Sequence, residues 1–345
     1  MSAEHETSRE RLLSYPCLLP IVAYAPQGVQ MGRVVLPPIS PAELELVPGL
    51  DGGTAYERLI EQNSSYENLT SFVDHLVWWD RPLENERQPP PGGGCLVISA
   101  HPDDVELSMG GWLIQQRNRR EITHAICFSQ VGYTQFAAAF PTPCEATTVR
   151  RSEATLAARM LGLYNVDFNL PDFELRRRDE AVDQLHEREQ AAGKLLRIEL
   201  CRLIARTSPQ IIFAPAAIGN HPDHRIIFNA VLDVFDAGCF PDTKVHFYED
   251  VPYSAQYQHI DSFLARFETS YLTVHPWVED ISAALELKKT LCDVHRSQAW
   301  PGQRELLEAI AVRTAEFLEP ADEPDGAPRA AERFWTLAER VLLGN

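Results

Sequence analysis

The sequence predicts an α/β protein whose mostly parallel sheet is covered by helices on both faces. Short apolar runs recur along the chain, as in CLVISA (95–100) and QIIFAPA (210–216), and continuous runs of this kind are typical of strands buried on both faces. Segments with helical periodicity lie between them, as in AAGKLLRIELCRLIART (191–207). Strands that alternate with helices favour a parallel sheet, because each helix carries the chain back to the edge where the previous strand began.

The same two patterns predict the individual elements. A helix over 150–162 should end at Gly162, because glycine is the residue that most often stops a helix. The predicted strands are 95–100, 123–129, 166–170, 210–216 and 244–250. The predicted helices are 106–116, 150–162, 191–207, 224–235 and 278–295, with a last helix that ends at Leu343.

Residues 1–90 differ from the rest of the chain. They contain a proline-rich stretch, LPPISP (36–41), and a predicted helix around Tyr56–Trp79. RQPPPGGG (87–94) reads as a linker, because proline and glycine interrupt regular structure. We therefore expect an N-terminal extension of unknown role over residues 1–90 and a second domain over residues 91–345.

Composition excludes several classes of protein. The formal net charge of −18 argues against a nucleic-acid or acidic-membrane binder, which needs basic surface to neutralise phosphates. No apolar run approaches the roughly 20 residues of a membrane span, and the acidic start MSAEHETSRERLL is unlike a secretory signal. The seven cysteines are scattered without a C-x-x-C pair and receive no metal role. A cytoplasmic protein is the expectation.

Two clusters of histidine and aspartate follow predicted strands. HPDD (101–104) comes directly after the strand at 95–100, and HPDH (221–224) comes shortly after the strand at 210–216. In open α/β sheets, ligands bind beyond the carboxyl ends of the strands. We therefore expect the two clusters to meet at one edge of the sheet.

Three residues of these clusters are candidate metal ligands. His101 and Asp104 lie three residues apart across a turn that leads into a helix, so their side chains can converge, and His224 completes the set. Two imidazoles and one carboxylate with open coordination positions suit Zn(II) or Fe(II). Water at such an ion has a pKa lowered toward about 7.

The remaining residues of the clusters are candidates for proton transfer. Asp103 is the candidate general base, and His221 could donate to the oxygen of a tetrahedral intermediate or to the departing amine. Asp223 could hold the His221 ring in the required tautomer. Taken alone, HPDD is also typical of a helix start and HPDH of a surface turn. Their joint occurrence at two strand ends favours a shared site.

These motifs resemble those of the PIG-L, or LmbE-like, deacetylase family. The first, AHPDDVELSMGG (100–111), resembles the family's A-H-P-D-D followed by G-G, and GNHPDHR (219–225) resembles its H-x-D-H. RRSEATLAARMLG (150–162) is similar to its R-x-x-E helix, and Lys288 followed by HRSQ (295–298) is similar to its lysine and H-x-S-Q. The resemblance covers residues 95–300.

The resemblance implies a Rossmann-like fold, and it implies that residues 91–345 form an LmbE-like catalytic domain. It implies His101, Asp104 and His224 as metal ligands, with zinc as the metal and iron as an alternative. It implies Asp103 as general base and His221 as the acid or oxyanion-stabilising histidine.

Two departures from the family fall where its members shape their substrate pocket. FSQVG (128–132) replaces the frequent T-x-G-E, and LPDF (170–173) places Phe173 where a glycine is more usual. The candidate substrate contacts are Arg150, Arg151, Asp172 and His295. For Arg150 and Arg151, an ion pair with Glu153 at the start of the helix is an equal alternative to substrate contact. His295 is expected to brace the site.

The predicted function is therefore a zinc-dependent hydrolase that removes an N-acyl group, foremost N-acetyl, from an amino sugar or related small molecule. The altered pocket is compatible with specialised metabolite biosynthesis. One alternative is an amidase that cleaves a larger acyl group or a conjugate. Another is a metal-binding partner protein without catalysis, which would need neither Asp103 nor His221. A homo-oligomer is compatible with each of these functions.

Overall fold

A computed structural model describes residues 94–117, 119–135, 142–177, 182–238, 242–268, 272–319 and 329–339, together with a few short strands near the N-terminus. The short strands are β1 Pro16–Cys17, β2 Val29–Met31, β3 Val34–Leu36 and β4 Val77–Trp78. The predicted helix around 56–79 lies outside the described residues except at its end, where Val77 and Trp78 pair with Pro16 and Cys17 as a strand. That end of the prediction is wrong.

A seven-stranded sheet forms the centre of the described structure. Its strand order is β10-β11-β9-β8-β5-β6-β7, with β5 through β9 parallel and β11 antiparallel to both of its neighbours. The predicted mostly parallel sheet is confirmed. The strands are β5 Gly94–Ser99, β6 Ile122–Ile126, β7 Tyr164–Asp167, β8 Pro209–Pro215, β9 Lys244–Tyr248, β10 Leu272–Asp280 and β11 Ala331–Glu339.

Helices cover both faces of this sheet. Leu96 and Ile98 of β5 belong to one apolar cluster with Leu200, while Cys95 and Val97 belong to a second cluster on the opposite face. The helices are α1 Asp104–Gln116, α2 Pro143–Leu161, α3 Phe173–Arg176, α4 Val182–Thr207, α5 Pro222–Asp236, α6 Tyr257–Ala265, α7 Leu285–Cys292 and α8 Gln303–Thr314.

Helix α2 ends as the sequence predicts, at Gly162, whose φ of 70° is left-handed. It begins earlier than predicted, where Thr142 and Glu145 form reciprocal side-chain to backbone hydrogen bonds. The capping pair therefore adds nearly two turns before the predicted start at residue 150.

The C-terminal part of the chain departs most from prediction. The predicted helix over 278–295 is a strand up to Asp280, followed by a helix confined to Leu285–Cys292. The predicted last helix is instead strand β11, which pairs with β10 from end to end. Trp335 and Leu337 pack into one apolar cluster and Phe334 packs into the other. Successive side chains of a strand point to opposite faces, so a strand covered on both faces buries apolar residues on each.

Strand β11 also holds helix α1 in place. The helix is interrupted at Met109, whose φ of −132° and ψ of 22° are not helical. Two backbone N–H groups just beyond the break, those of Gly111 and Trp112, donate to Glu332 on β11 at 2.9 and 2.7 Å. The ammonium of Lys288 donates to the same buried carboxylate at 2.7 Å. Glu332 thus acts as the cap of a restarted helix.

Within the described residues, none of the helices is both long and apolar enough to cross a membrane.

Candidate metal centre and active site

The site lies at the carboxyl ends of β5 and β8, the two neighbouring strands at the centre of the sheet. From β5 the chain proceeds outward through β6 and β7, and it then returns to place β8 on the other side of β5. This reversal of strand order leaves a crevice at the strand ends, where open α/β sheets bind ligands. HPDD (101–104) enters the crevice from β5, and HPDH (221–224) enters it from β8.

Three side chains converge in this crevice. Asp104 Oδ2 lies 3.7 Å from His101 Nδ1 and 3.5 Å from His224 Nε2. The donor atoms of a tetrahedral zinc site with bonds of about 2.0–2.1 Å lie roughly 3.3 Å apart. The donor set and its spacing therefore fit a divalent metal ion such as zinc.

Buried carboxylates orient both histidines of this group. His101 Nε2 donates to Asp223 Oδ2 at 2.8 Å, and His224 Nδ1 donates to Asp250. Each of these bonds places the ring hydrogen on the nitrogen that donates to the carboxylate. The other nitrogen, Nδ1 of His101 and Nε2 of His224, faces Asp104 and can bind a cation. Asp250 is a residue of the candidate site that sequence reasoning missed, although its position at the end of the predicted strand KVHFYED (244–250) was a usable signal.

The charges in the group reinforce one another. Burial opposes ionisation of Asp104, yet the facing imidazoles of His224 and His101 hold the pKa of that carboxyl well below its usual range. Burial likewise opposes protonation of His101, but Asp104 and Asp223 raise its pKa to about 9. The site is thus a place where positive charge is strongly favoured.

Asp223 differs from its predicted role. We expected it to orient His221, but its side chain contacts His101 and also accepts from Arg176 Nη2 at 2.6 Å and from the Phe173 N–H at 2.9 Å. It is the backbone N–H of Asp223 that reaches His221, donating to Nδ1 at 3.3 Å. The predicted contact between the Asp223 carboxylate and the His221 ring is therefore wrong.

A second set of possible ligands overlaps the first. His101, His221 and Asp223 also bring donor atoms within 4.8 Å of one another. The guanidinium of Arg176 already lies 2.6 Å from Asp223, so a further cation there would be repelled at short range. The set of His101, Asp104 and His224 is the better candidate.

His221 lies beside this group and between two aromatic rings. Its ring centroid is 6.4 Å from that of Phe173 and 6.2 Å from that of Tyr253. Burial, together with the positive charge that His101 and His224 carry, lowers the pKa of His221 to about 3. Because its Nδ1 accepts a hydrogen bond, the neutral ring carries its hydrogen on Nε2.

Asp103 forms a buried ion pair with Arg150, at 2.6 Å between Oδ1 and Nη2. Arg150 was predicted to contact substrate or to pair with Glu153, and neither alternative included Asp103. Arg151 instead pairs with Asp167 at 2.8 Å on the partly exposed side of helix α2.

Two further candidates for substrate contact are occupied elsewhere. Asp172 is buried, and its two oxygens accept from the backbone N–H groups of Leu175 and Gly132 at 2.8 and 3.0 Å, so it caps helix α3. His295 is also buried, and its Nε2 lies 3.4 Å from Glu106. Substrate contact by these two residues stays a prediction, and the structure gives each of them a contact within the protein.

Fold and site together define a doubly wound α/β protein with a candidate metal centre at its topological switch point. Comparison with known proteins adds a family match over part of the chain. The family model of PIG-L, GlcNAc-PI de-N-acetylase, matches residues 96–235, which contain both motifs. This segment of the chain is therefore similar to the PIG-L family.

A curated relative is similar over the same region. The chain is 28% identical over 173 residues to 2'-N-acetylparomamine deacetylase of Streptomyces fradiae, which covers 49% of this chain. The chain spans 61% of the length of that relative.

Solved structures share the fold at low sequence identity. The A40926 pseudoaglycone deacetylase aligns with a TM-score of 0.53 and 20% identity, over 72% of this chain and 98% of its own. The zinc-inhibited form of a teicoplanin deacetylase aligns with a TM-score of 0.54 and 18% identity over the same shares. A 4-carboxy-2-hydroxymuconate hydratase from Pseudomonas putida aligns with a TM-score of 0.50 and 15% identity, over 73% of this chain and 99% of its own. Since a hydratase has the same fold, the fold alone does not decide the reaction.

Proposed function

We propose that this protein is a zinc-dependent amide hydrolase that removes an N-acetyl group from an amino sugar or a related small molecule. The observation that carries the proposal is the convergence of His101, Asp104 and His224 beside two further polar groups, Asp103 and His221. The PIG-L match and the similarity to a deacetylase of an N-acetylated paromamine support N-acetyl as the group removed.

His101, Asp104 and His224 would hold the ion. Zinc in such a site acts as a Lewis acid toward a carbonyl oxygen and lowers the pKa of water to about 7. The similar structure of a teicoplanin deacetylase is its zinc-inhibited form, which supports zinc binding by a site on this fold.

Asp103 takes the proton from the water that attacks the amide carbonyl carbon. Arg150 holds Oδ1 at 2.6 Å, which fixes the direction of the carboxylate and leaves Oδ2 for the proton. When the C–N bond breaks, this proton passes to the departing nitrogen, so that the products are acetate and a free amine. The carboxylate is then ready for another cycle.

His221 donates a hydrogen bond to the oxygen on which negative charge develops. Its Nε2–H is the free donor because Nδ1 already accepts from the Asp223 N–H at 3.3 Å. A donor fixed in place before the reaction stabilises the oxyanion without reorganisation. This role suits a neutral imidazole better than the delivery of a proton to the amine.

A larger acyl group is the second candidate for the group removed. The observation that favours it is Phe173, whose ring packs against His221 where the family more often has a glycine. An apolar ring at this point would contact an acyl chain longer than acetyl.

The test combines metal analysis with a product assay. Freshly purified protein should contain zinc, and incubation with N-acetylated amino sugars should release acetate. Release of a longer acid from N-acylated substrates would favour the second candidate. Zinc binding without release of any acid would favour a metal-binding partner protein, and protein purified without any metal would overturn the proposal.

The remaining proposals concern the rest of the chain. We propose that residues 91–345 form the catalytic domain, that residues 1–90 are an extension of it, and that the protein acts in the cytoplasm on a small N-acylated substrate. A role in specialised metabolite biosynthesis is supported by the antibiotic-related names of the relatives. Deleting residues 1–90 and measuring mass in solution together with activity would separate a role in oligomerisation from a role at the pocket.

A further inference from the structure

Tyr253 lies against the candidate site without a predicted role. Its ring centroid is 5.9 Å from that of His224, at an interplanar angle of 85°, and 6.2 Å from that of His221, at 39°. The residue begins a short 3-10 turn, Tyr253–Ala255, just after strand β9. Asp250 precedes it and binds His224, so the segment that carries Tyr253 is attached to the candidate metal centre.

The loop that delivers His221 is shaped around this tyrosine. Gly219 has a φ of 83°, and a Cβ at this position would lie 2.4 Å from Tyr253 Cβ and 2.6 Å from its Cγ. Neighbouring Asn220 and Ala217 also have positive φ, at 65° and 54°, which is uncommon for residues with side chains. Strained backbone of this kind concentrates at functional sites. Position 219 therefore has no room for a side chain beside the Tyr253 ring.

The surroundings of the phenol keep it protonated. An ordinary tyrosine has a pKa near 10, so the hydroxyl is a hydrogen-bond donor at neutral pH without any assistance. Burial raises the pKa of Tyr253 further, and the negative charges of Asp104, Asp250, Asp103 and Asp223 act in the same direction. Tyr253 is only partly buried in the structure.

We propose that Tyr253 is a further catalytic residue, whose O–H donates a hydrogen bond to the former carbonyl oxygen of the substrate. This inference rests on the proposed amide hydrolysis. As the water oxygen bonds to the carbonyl carbon, the π electron pair moves onto the carbonyl oxygen, and Tyr253 and His221 stabilise that charge from two directions. The phenol keeps its proton throughout, while the proton of the water goes to Asp103 and then to the departing nitrogen.

The test compares two tyrosines in the zinc-loaded full-length protein. Tyr253→Phe removes the hydroxyl and keeps the ring that packs on His221 and His224. The matched control is Tyr164→Phe. Tyr164 lies at the amino end of strand β7, whereas the site lies at the carboxyl ends of the parallel strands. We expect Tyr253→Phe to lower kcat by about 10²-fold, with KM within twofold, since the loss of one oxyanion donor costs about 10²–10³ in kcat. The control should leave both constants unchanged.

A binding measurement separates this inference from the proposed function. Acetohydroxamate presents an oxygen anion to the site, and its affinity can be measured by calorimetry whether or not a substrate is known. We expect Tyr253→Phe to weaken its binding about tenfold, with unchanged zinc content and thermal stability. If wild-type protein hydrolyses no amide but this loss is seen, the proposed reaction fails and the donor role of Tyr253 stands. Unchanged kcat and unchanged hydroxamate affinity, or a rise in KM alone, would overturn the role of Tyr253.

Discussion

Arg150 Nη2 lies 2.6 Å from Asp103 Oδ1, with 7% and 11% of the two side chains exposed. The pair joins the turn before helix α1 to helix α2, and it places a fixed positive charge on the proposed general base. Removing one partner of a buried ion pair leaves an uncompensated charge, which typically costs about 3–5 kcal/mol. The proposed proton acceptor is therefore also part of the structural framework.

Arg150 and Asp103 should be energetically coupled in the folded protein. We expect Arg150→Ala to lower the free energy of unfolding by about 3 kcal/mol, and the double variant with Asp103→Ala to lose less than the sum of the single variants. Urea unfolding of all four proteins measures this coupling. The exposed pair Arg197 and Asp233 is the control, with a coupling below about 1 kcal/mol. Equal coupling in both cycles would contradict a buried, structurally important pair.

Loss of the Asp103 carboxylate should separate catalysis from metal binding. Asp103→Asn keeps the shape of the side chain but cannot take a proton from water, so we expect turnover of a cleaved substrate to fall about 10²–10⁴-fold. Zinc content should stay unchanged, because Asp103 does not belong to the converging set. Asp233→Asn, a change of the same chemistry on an exposed residue, should leave turnover unaltered. Full activity in Asp103→Asn would rule out its role as base.

Asp250 should control metal affinity through His224. Because its carboxylate accepts from His224 Nδ1, Asp250→Asn removes the charge that orients the ring, and such changes typically cost 10–100-fold in metal affinity. Competition with a zinc chelator measures the loss. Asp261→Asn, on the exposed face of helix α6, is the control. A zinc affinity equal to wild type in Asp250→Asn would argue that His224 does not bind the ion.

Local patterns were sufficient to predict the central part of this fold. HPDD (101–104) follows an apolar run directly and HPDH (221–224) follows one after four residues, and the carboxyl ends of neighbouring parallel strands meet by geometry alone. Their shared edge could therefore be predicted without any knowledge of contacts. The helix stop at Gly162 is equally local.

The parts that could not be predicted depend on contacts between distant segments. Glu332 caps helix α1 from 221 residues away, and Asp250 reaches His224 from the loop that follows strand β9. The segment 331–339 was predicted as helix because its short apolar run fits either period, and only its pairing with β10 and β9 selects the strand. Asp223 was assigned to the nearer histidine in sequence, whereas folding brings it to His101.

Glu153 should make stability fall as the pH rises from about 4.5 to about 7. Burial raises the pKa of this carboxyl to about 7, against 4.5 without burial, so the folded protein holds the proton more tightly. Stability from this group is fully present below the unfolded pKa and declines as the pH rises through the folded value, by on the order of 3 kcal/mol. Unfolding of wild type and Glu153→Gln across this range isolates the effect, because the amide cannot ionise. Parallel curves for the two proteins would contradict the shifted pKa.

The two glycines that follow HPDD should respond differently to alanine. A Cβ on Gly111 would lie 2.7–2.8 Å from three side-chain atoms of buried Ile281, whereas a Cβ on Gly110 would meet Lys288 Cγ at 3.2 Å. We expect Gly111→Ala to destabilise the protein by about 1–3 kcal/mol, as overpacking in a full core does. Gly110→Ala should lie within about 1 kcal/mol of wild type, because alanine is the better helix former and its one tight contact is longer than those of Gly111. Thermal and urea unfolding compare the two single variants, and zinc content shows whether the loss reaches the site. Since Gly111 also donates its N–H to Glu332, a displaced helix would loosen the turn that carries Asp104. If Gly111→Ala is as stable as Gly110→Ala, the Ile281 side chain can move aside. Close packing of Ile281 against helix α1 would then not require a glycine at position 111.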